Sequence, residues 1–157
     1  MKTGWLESPI GLLQLKGTAS GLASVSFVSA SEGIASEIPS ELEEAAQQLS
    51  AYFAGERIHF SIPLAPEGTV FQKKVWQLLS RIPFGKTVSY QSIANQLGDP
   101  KVIRAAAAAN GKNPIAIVIP CHRVIGSDGS LTGYAGGLDR KKWLLAHENP
   151  VKQTSLF

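Results

Sequence analysis

Pro63, Pro66 and Gly68 stand close together before the middle of the chain and split it into two stretches with different local rules. Proline offers no amide hydrogen to a ladder and glycine no side chain to hold an element, so no regular element runs through such a cluster. Before it, Leu12-Leu13-Gln14-Leu15 and residues 22–28 are apolar and strand-tolerant, separated by Gly17, Ser20 and Gly21. That is the pattern of short strands joined by a turn. Ser40-Glu41-Leu42-Glu43 has the spacing of a capping box, and Leu42, Ala45, Ala46, Leu49 and Phe53 then recur at helical intervals up to Gly55. Residues 58–64 read as a returning strand.

Beyond the cluster the pattern is helical. Val70, Phe71, Val75, Leu78, Leu79 and Ile82 make an amphipathic helix that stops at Pro83-Phe84-Gly85. Ser89 can cap a short helix carrying Ile93, Ala94 and Leu97; Gly98 breaks it, and Asp99-Pro100 opens another as N-cap and first helical residue. Two short helices joined at a glycine outline a helix-turn-helix, an outline that many packed helix pairs share. The expected fold is α+β: a small N-terminal sheet-and-helix domain over residues 1–63, a linker over 64–67, and a helical domain with the helix-turn-helix over 68–150. Residues 151–157 form a tail. At 157 residues the chain can bury a core without staples.

Charge separates the same halves. Residues 1–63 carry three Lys/Arg against seven Asp/Glu, a net of −4, whereas 64–157 carry twelve against five, a net of +7. A polyanion partner for the second half, or simply a solvated surface, fits that asymmetry. No apolar run approaches the roughly 18 residues of a membrane span, and the first residues, Met1-Lys2-Thr3-Gly4-Trp5-Leu6-Glu7, have no apolar stretch of signal-peptide type. The expectation is a monomeric cytoplasmic protein without a membrane partner.

One helix is unusual. Arg104 is followed by Ala105-Ala106-Ala107-Ala108-Ala109, strong helix formers with almost no side chain. A bare face lets backbone approach closely, either to another helix or to a DNA minor groove only about 6 Å wide.

The chemistry centres on Cys121, the single cysteine, within Pro120-Cys121-His122-Arg123-Val124, after the strand-like run Ile115-Ala116-Ile117-Val118-Ile119. With no second cysteine there is no internal disulfide, and with only His59, His122 and His147 beside it a dedicated Cys/His zinc site is not expected. A free thiol is only about 7% thiolate at pH 7.4, so nucleophilic work needs a base. His122 is the candidate, directly or through water, with Glu148 orienting it. Adjacent residues on an extended chain point to opposite faces, which favours the water route. Glu148 could instead pair with Arg123 or Lys142. A cysteine hydrolase and a lesion-binding module without chemistry are the rival readings.

These residues resemble the active-site signature of the O6-alkylguanine-DNA alkyltransferases. So do Ser89-Tyr90-Gln91-Ser92-Ile93-Ala94, Arg104-Ala105, Asn113-Pro114, Gly133-Tyr134-Ala135-Gly136-Gly137 and Leu144-Leu145-Ala146-His147-Glu148, in order and spacing. The resemblance is close over residues 68–149 and looser over 1–63. It implies DNA repair by base flipping, since an alkylated base is not attacked while stacked. Cys121 would take the alkyl group irreversibly, once per molecule, from O6-alkylguanine, with O4-alkylthymine a further candidate, and no cofactor or metal would take part. His122 would accept the thiol proton through water and Glu148 would hold the imidazole.

The same resemblance assigns base contacts. Tyr90 would donate toward the guanine N3, the Ala135 amide would stabilise O6, Tyr134 would pack on the base, and the carbonyls of Cys121 and Val124 would read the exocyclic amine. Asn113 would brace the turn before the cysteine. Arg104 would fill the gap in the stack, with Ala105, Ala106, Ala109, Ser89, Gln91 and Arg123 at the double-stranded DNA, the alanine helix lying in its minor groove. Ala135 stands where some relatives have serine, and Ala107 and Ala108 replace glycines, which narrows the pocket against bulky alkyl groups. The tail residues Gln153, Leu156 and Phe157 resemble peptides that dock on bacterial sliding clamps; a frayed end is the alternative.

Overall fold

The computed structural model describes residues 1–29 and 37–149. Two units are distinguished along the chain: Met1–Glu67 with Pro114–Val118, and Gly68–Asn113 with residues 119–149.

In the first unit, β1 (Lys2–Ser8), β2 (Gly11–Thr18) and β3 (Gly21–Val28) form an antiparallel sheet in the order β1-β2-β3. Ser8 pairs with Gly11 and Leu15 with Val25, fixing tight hairpins. β1 lies outside the apolar runs and is an addition to the sequence reading. A 3₁₀ turn (Ser40–Leu42) leads into α1 (Glu43–Phe53), which buries Ala45, Ala46, Leu49 and Tyr52, while Leu13, Leu15, Leu22 and Val25 are buried in the sheet. The capping box expected at Ser40 does not form. The Leu42 amide donates to the Pro39 carbonyl at 2.9 Å, winding the 3₁₀ turn, and the Ser40 hydroxyl turns to Glu41 Oε1 at 3.2 Å.

Two expected strands are also absent. Over residues 58–64 only Leu64 bridges, to Leu22. Pro63 has no amide to give a ladder, and the Ser61 amide donates to the Gln48 side chain at 2.9 Å. Over 115–119 only Ile115 bridges, to Val25. The Val118 amide then bonds the Ala116 carbonyl at 2.8 Å across Ile117, whose φ is 73°. This is a γ-turn of the rare, strained hand. For a β-branched residue it stores on the order of 1–3 kcal/mol.

The second unit opens with a capping box: Thr69 Oγ1 accepts from the Gln72 amide and Gln72 Oε1 from the Thr69 amide, both at 3.0 Å. α2 (Val70–Leu79) follows, burying Val75, Trp76 and Leu79. Gly68 is required here, because a Cβ on it would lie 2.5 Å from the Trp76 ring. β4 (Val88–Ser89) feeds α3 (Tyr90–Gln96), capped by Ser89 Oγ accepting from the Ser92 amide at 3.0 Å. Gly98, at φ 94°, makes the turn, and Asp99 Oδ1 caps a 3₁₀ turn (Pro100–Val102) through the Lys101 amide at 2.9 Å. α4 (Ile103–Gly111) then carries the alanine run. A 3₁₀ turn (Cys121–Arg123), β5 (Val124–Ile125) and α5 (Leu138–Glu148) complete the unit.

Candidate active site

β5 pairs in parallel with β4, Val88 opposite Val124 and Ser89 opposite Ile125. This short ladder sets the first residue of α3, Tyr90, in register with the turn that carries Cys121. The cysteine is not on an extended strand. Pro120, at φ −82° and ψ 65°, makes a second γ-turn, with the Cys121 amide donating to the Ile119 carbonyl at 2.8 Å, and the chain then winds into the 3₁₀ turn. Asn113 braces this bend, its Nδ2 donating to the Ile119 carbonyl at 2.7 Å, and it also hydrogen-bonds the Cys121 side chain.

Cys121 is 6% exposed. Burial pushes its thiol up, against the hydrogen bond from Asn113 and the positive charge of Lys141, which pull it down. The resting side chain is therefore the thiol, and its proton must leave during the reaction.

The base is ready beside it. His122 is fully buried, and its Nε2 lies 2.8 Å from Glu148 Oε2. Burial acts to raise the Glu148 carboxyl, but hydrogen bonds from His122 and Arg123 and their charges outweigh it and hold it at about 2, against an ordinary 4.5. An ionised carboxylate only accepts, so Nε2 carries the hydrogen and Nδ1 keeps its lone pair. Nδ1 is buried without a hydrogen-bond partner. Burial lowers the imidazole, more than Glu148 raises it, so it is neutral near pH 7. Glu148 serves Arg123 as well as His122: Arg123 Nε donates to Oε1 at 2.8 Å and Nη2 to Oε2 at 2.9 Å.

Arg123 therefore does not stand at a DNA surface. It is 6% exposed, and its remaining arm donates to the Ile82 carbonyl at 2.7 Å. Ala106 and Ala109 are likewise buried, because α4 turns that side toward α2, where Trp76 Nε1 donates to the Ala109 carbonyl at 2.8 Å. The exposed side of α4 carries Arg104, Ala105 and Ala108 instead. Ser89 is occupied as a cap, and Gln91 Nε2 donates to Asn95 Oδ1 and the Pro100 carbonyl, both at 3.2 Å.

A cavity of about 450 Å³ opens between α4 and the loop before α5, walled by Tyr90, Arg104, Ala107, Asn110, Thr132 and Tyr134, among others. Its size is in the range of small-ligand sites. The Tyr90 hydroxyl donates to the Thr132 carbonyl at 2.9 Å. Burial raises the Tyr90 and Tyr134 hydroxyls, and the nearby Cys121 raises both further. Ala135 is exposed on the same loop, and Val124 is fully buried.

Lys141 escaped the sequence reading because it sits in a run of charges, Asp139 to Lys142. It is fully buried, and its Nζ donates to the carbonyls of Val124 at 2.7 Å, Thr132 at 2.9 Å and Gly133 at 3.3 Å. The available signal was spacing: Lys141, Leu144 and Glu148 share one helical face. Trp76 and Asn110 were also missed. Among the described residues no group of three or more His, Cys, Asp or Glu is placed to hold a metal ion, and no helix is long and apolar enough to cross a membrane.

Residues 70–150 match the family described as "6-O-methylguanine DNA methyltransferase, DNA binding domain", and residues 1–66 match its ribonuclease-like domain. The chain belongs to the 6-O-methylguanine DNA methyltransferase family. A methylated-DNA–protein-cysteine methyltransferase of Methanosarcina barkeri is 51% identical over 150 residues, covering 91% of this chain and 94% of that one. The protein of the same description from Mycolicibacterium paratuberculosis is 49% identical over 155 residues, covering 96% and 94%. Among structures, the Mycobacterium tuberculosis OGT in complex with DNA superposes with a TM-score of 0.84 at 43% identity over 99% of both chains. For a 6-O-methylguanine DNA methyltransferase the α+β fold, with sheet and helix before a helical part bearing the paired helices, is the expected one.

Proposed function

We propose that this chain reverses alkyl damage in DNA by transferring the alkyl group of an extruded O6-alkylguanine to Cys121, once per molecule. The carrying observation is the His122 ring, with Nε2 committed to Glu148 and Nδ1 unpartnered next in sequence to the thiol. The thiol proton passes to Nδ1 through water, Sγ attacks the alkyl carbon, and the carbon–O6 bond breaks. Tyr90 leaves the Thr132 carbonyl and donates toward the departing base, so the guanine gains the proton it needs, and the proton held by His122 returns through water to the phenolate. The product thioether has no acidic hydrogen and no second thiol to relieve it. O4-alkylthymine is carried as a second lesion.

DNA as partner is supported by the relative solved with DNA and by the net +7 of residues 64–157. Arg104, Ala105 and Ala108 form the exposed side of α4 offered to the minor groove, Arg104 filling the stack. We read the protein as a cytoplasmic monomer. Gln153, Leu156 and Phe157 lie outside the described residues; their proposed role is docking on a sliding clamp, and equal clamp binding by the full chain and a version ending at Val151 removes it.

Intact-mass analysis after exposure to duplex carrying O6-methylguanine should show one methyl group per chain, mapping to Cys121 and absent from Cys121→Ser. Multiple turnovers on a small ester would indicate the hydrolase instead, and DNA binding with no mass change a lesion-recognition module.

A further inference from the structure

The Lys141 ammonium, fully buried on α5, gives its hydrogens to three main-chain carbonyls, those of Val124, Thr132 and Gly133. Three acceptors match an ammonium, which has three donors, and exceed the two of a neutral amine. Its hydrogen bonding is complete, yet its charge is unanswered. His122 and Arg123 both find Glu148, and among the described residues no carboxylate lies within ion-pair reach of the Lys141 Nζ. A buried ammonium without a counter-ion is costly, and a methionine would fill the same volume without that cost.

The three carbonyls belong to the two segments between which the chemistry runs. Val124 follows the turn bearing Cys121, and Thr132 and Gly133 lead into the loop bearing Tyr134 and Ala135. Nζ also stands 5.8 Å from the centre of the Tyr90 ring. The groups acting on the sulfur's surroundings are Asn113, His122 beside it, Tyr90 from α3, Tyr134 from the loop and Lys141 from α5, with Glu148 and Arg123 beyond the imidazole. Burial lowers the Lys141 ammonium and the charge of Cys121 raises it. Burial and the charges of Arg123 and Lys141 oppose a proton on His122, which Glu148 favours.

We propose that Lys141 is the counter-charge of the Cys121 thiolate: a positioning residue that fastens the cysteine turn to the Tyr134 loop and keeps its positive charge for an anion present only during the reaction. When the thiol proton passes to Nδ1 through water, the sulfur becomes negative and the ring positive. Lys141 answers the first charge as Glu148 answers the second, and no bond forms or breaks at Lys141 itself. The inference rests on the alkyl-transfer reading above, and it supplies the partner which that reading leaves the sulfur without.

The test follows the thiolate by its ultraviolet absorbance across pH, with Cys121→Ser as the blank, in the full chain and in Lys141→Gln and Lys141→Arg. Glutamine keeps a donor for the carbonyls and drops the charge, whereas arginine keeps the charge and loses the tetrahedral fit. The Gln variant should titrate at least about one pH unit above the unaltered protein, and the Arg variant within about half a unit of it. Variants displaced alike, or a Gln variant that titrates with the unaltered protein, would overturn the inference and leave Lys141 a staple between segments. A reciprocal measurement needs no change at Lys141. Followed by the NMR signal of its Cε, the ammonium should lose its proton at lower pH in Cys121→Ser than in the unaltered protein, since coupling between two sites acts on both. Coincident Lys141 titrations would overturn the inference even if neither Lys141 variant folds. Methyl transfer from duplex O6-methylguanine, read by intact mass, should slow at least about tenfold in Lys141→Gln. If the unaltered protein transfers no methyl group, the alkyl-transfer reading falls while the two titrations still decide the counter-charge, so the failures are distinguishable.

Discussion

Replacing Glu148 by glutamine should destabilise this protein more than any surface change. The carboxylate accepts three short hydrogen bonds, one from His122 and two from Arg123, at 2.8–2.9 Å, and is 2% exposed. A glutamine at this position would keep one acceptor oxygen and turn an NH2 toward a donor, leaving the buried guanidinium uncompensated. Stranding one partner of a buried pair costs about 3–5 kcal/mol, which for a chain of this length lowers Tm by roughly 6–20 °C. The pH dependence follows the same group. Its folded-state pKa, about 2, lies below the ordinary 4.5, so its contribution is full above about pH 4.5 and is lost as pH falls through about 2. E148Q should flatten that acid limb. Denaturant melts followed by tryptophan fluorescence, at pH 7 and across the acid range, measure both effects. The double variant R123M/E148Q removes the stranded charge and should recover at least about 1 kcal/mol over E148Q. A loss below about 1 kcal/mol for E148Q, or a double variant no more stable than E148Q, would refute the reasoning.

Arg104→Ala should slow repair of duplex at least about tenfold while sparing reaction with free O6-methylguanine, because an exposed side chain at the start of α4 serves the DNA and not the sulfur; parallel losses in the two assays would count against the stacking role. Burial holds the His122 imidazole below its ordinary 6.5, so most of it stays neutral down to that pH, and the transfer rate should fall less than about twofold between pH 7.5 and 6.5. A tenfold drop over that interval would mean an imidazole protonated where the structure makes it neutral. Lys141→Met keeps the volume but removes the donor to three carbonyls, and single-turnover kinetics should show at least about a tenfold loss of rate. A rate within twofold of the unaltered protein would make Lys141 a bystander.

Caps and turns were legible in the helix pair, though the cap expected at Ser40 failed and the Thr69 capping box went unread. Ser89, Asp99 and Gly98 punctuate the helix pair as their side chains or lack of one dictate. The strand expected over 115–119 failed for the opposite reason. Its five apolar, mostly β-branched residues satisfy the local rule, but tertiary packing holds Ile117 at a φ that no propensity favours. The alanine run shows a similar limit. Composition identified a helix with small faces, whereas which alanines turn inward depended on Trp76 and its bond to the Ala109 carbonyl. At the chemical centre, residue identities announced cysteine, histidine and glutamate. The sequence offered Glu148 to His122 or, instead, to Arg123 or Lys142; that it serves His122 and Arg123 together required knowing that Arg123 is buried.

The Thr132 carbonyl accepts from two donors, the Tyr90 hydroxyl and the Lys141 ammonium, both at 2.9 Å. When the phenol swings away to hand over its hydrogen, the carbonyl is not abandoned, since the ammonium still holds it. An oxygen with a standing second companion lets the first depart without being left unpaired. The loop can thus release its proton donor and keep its own shape through the handover.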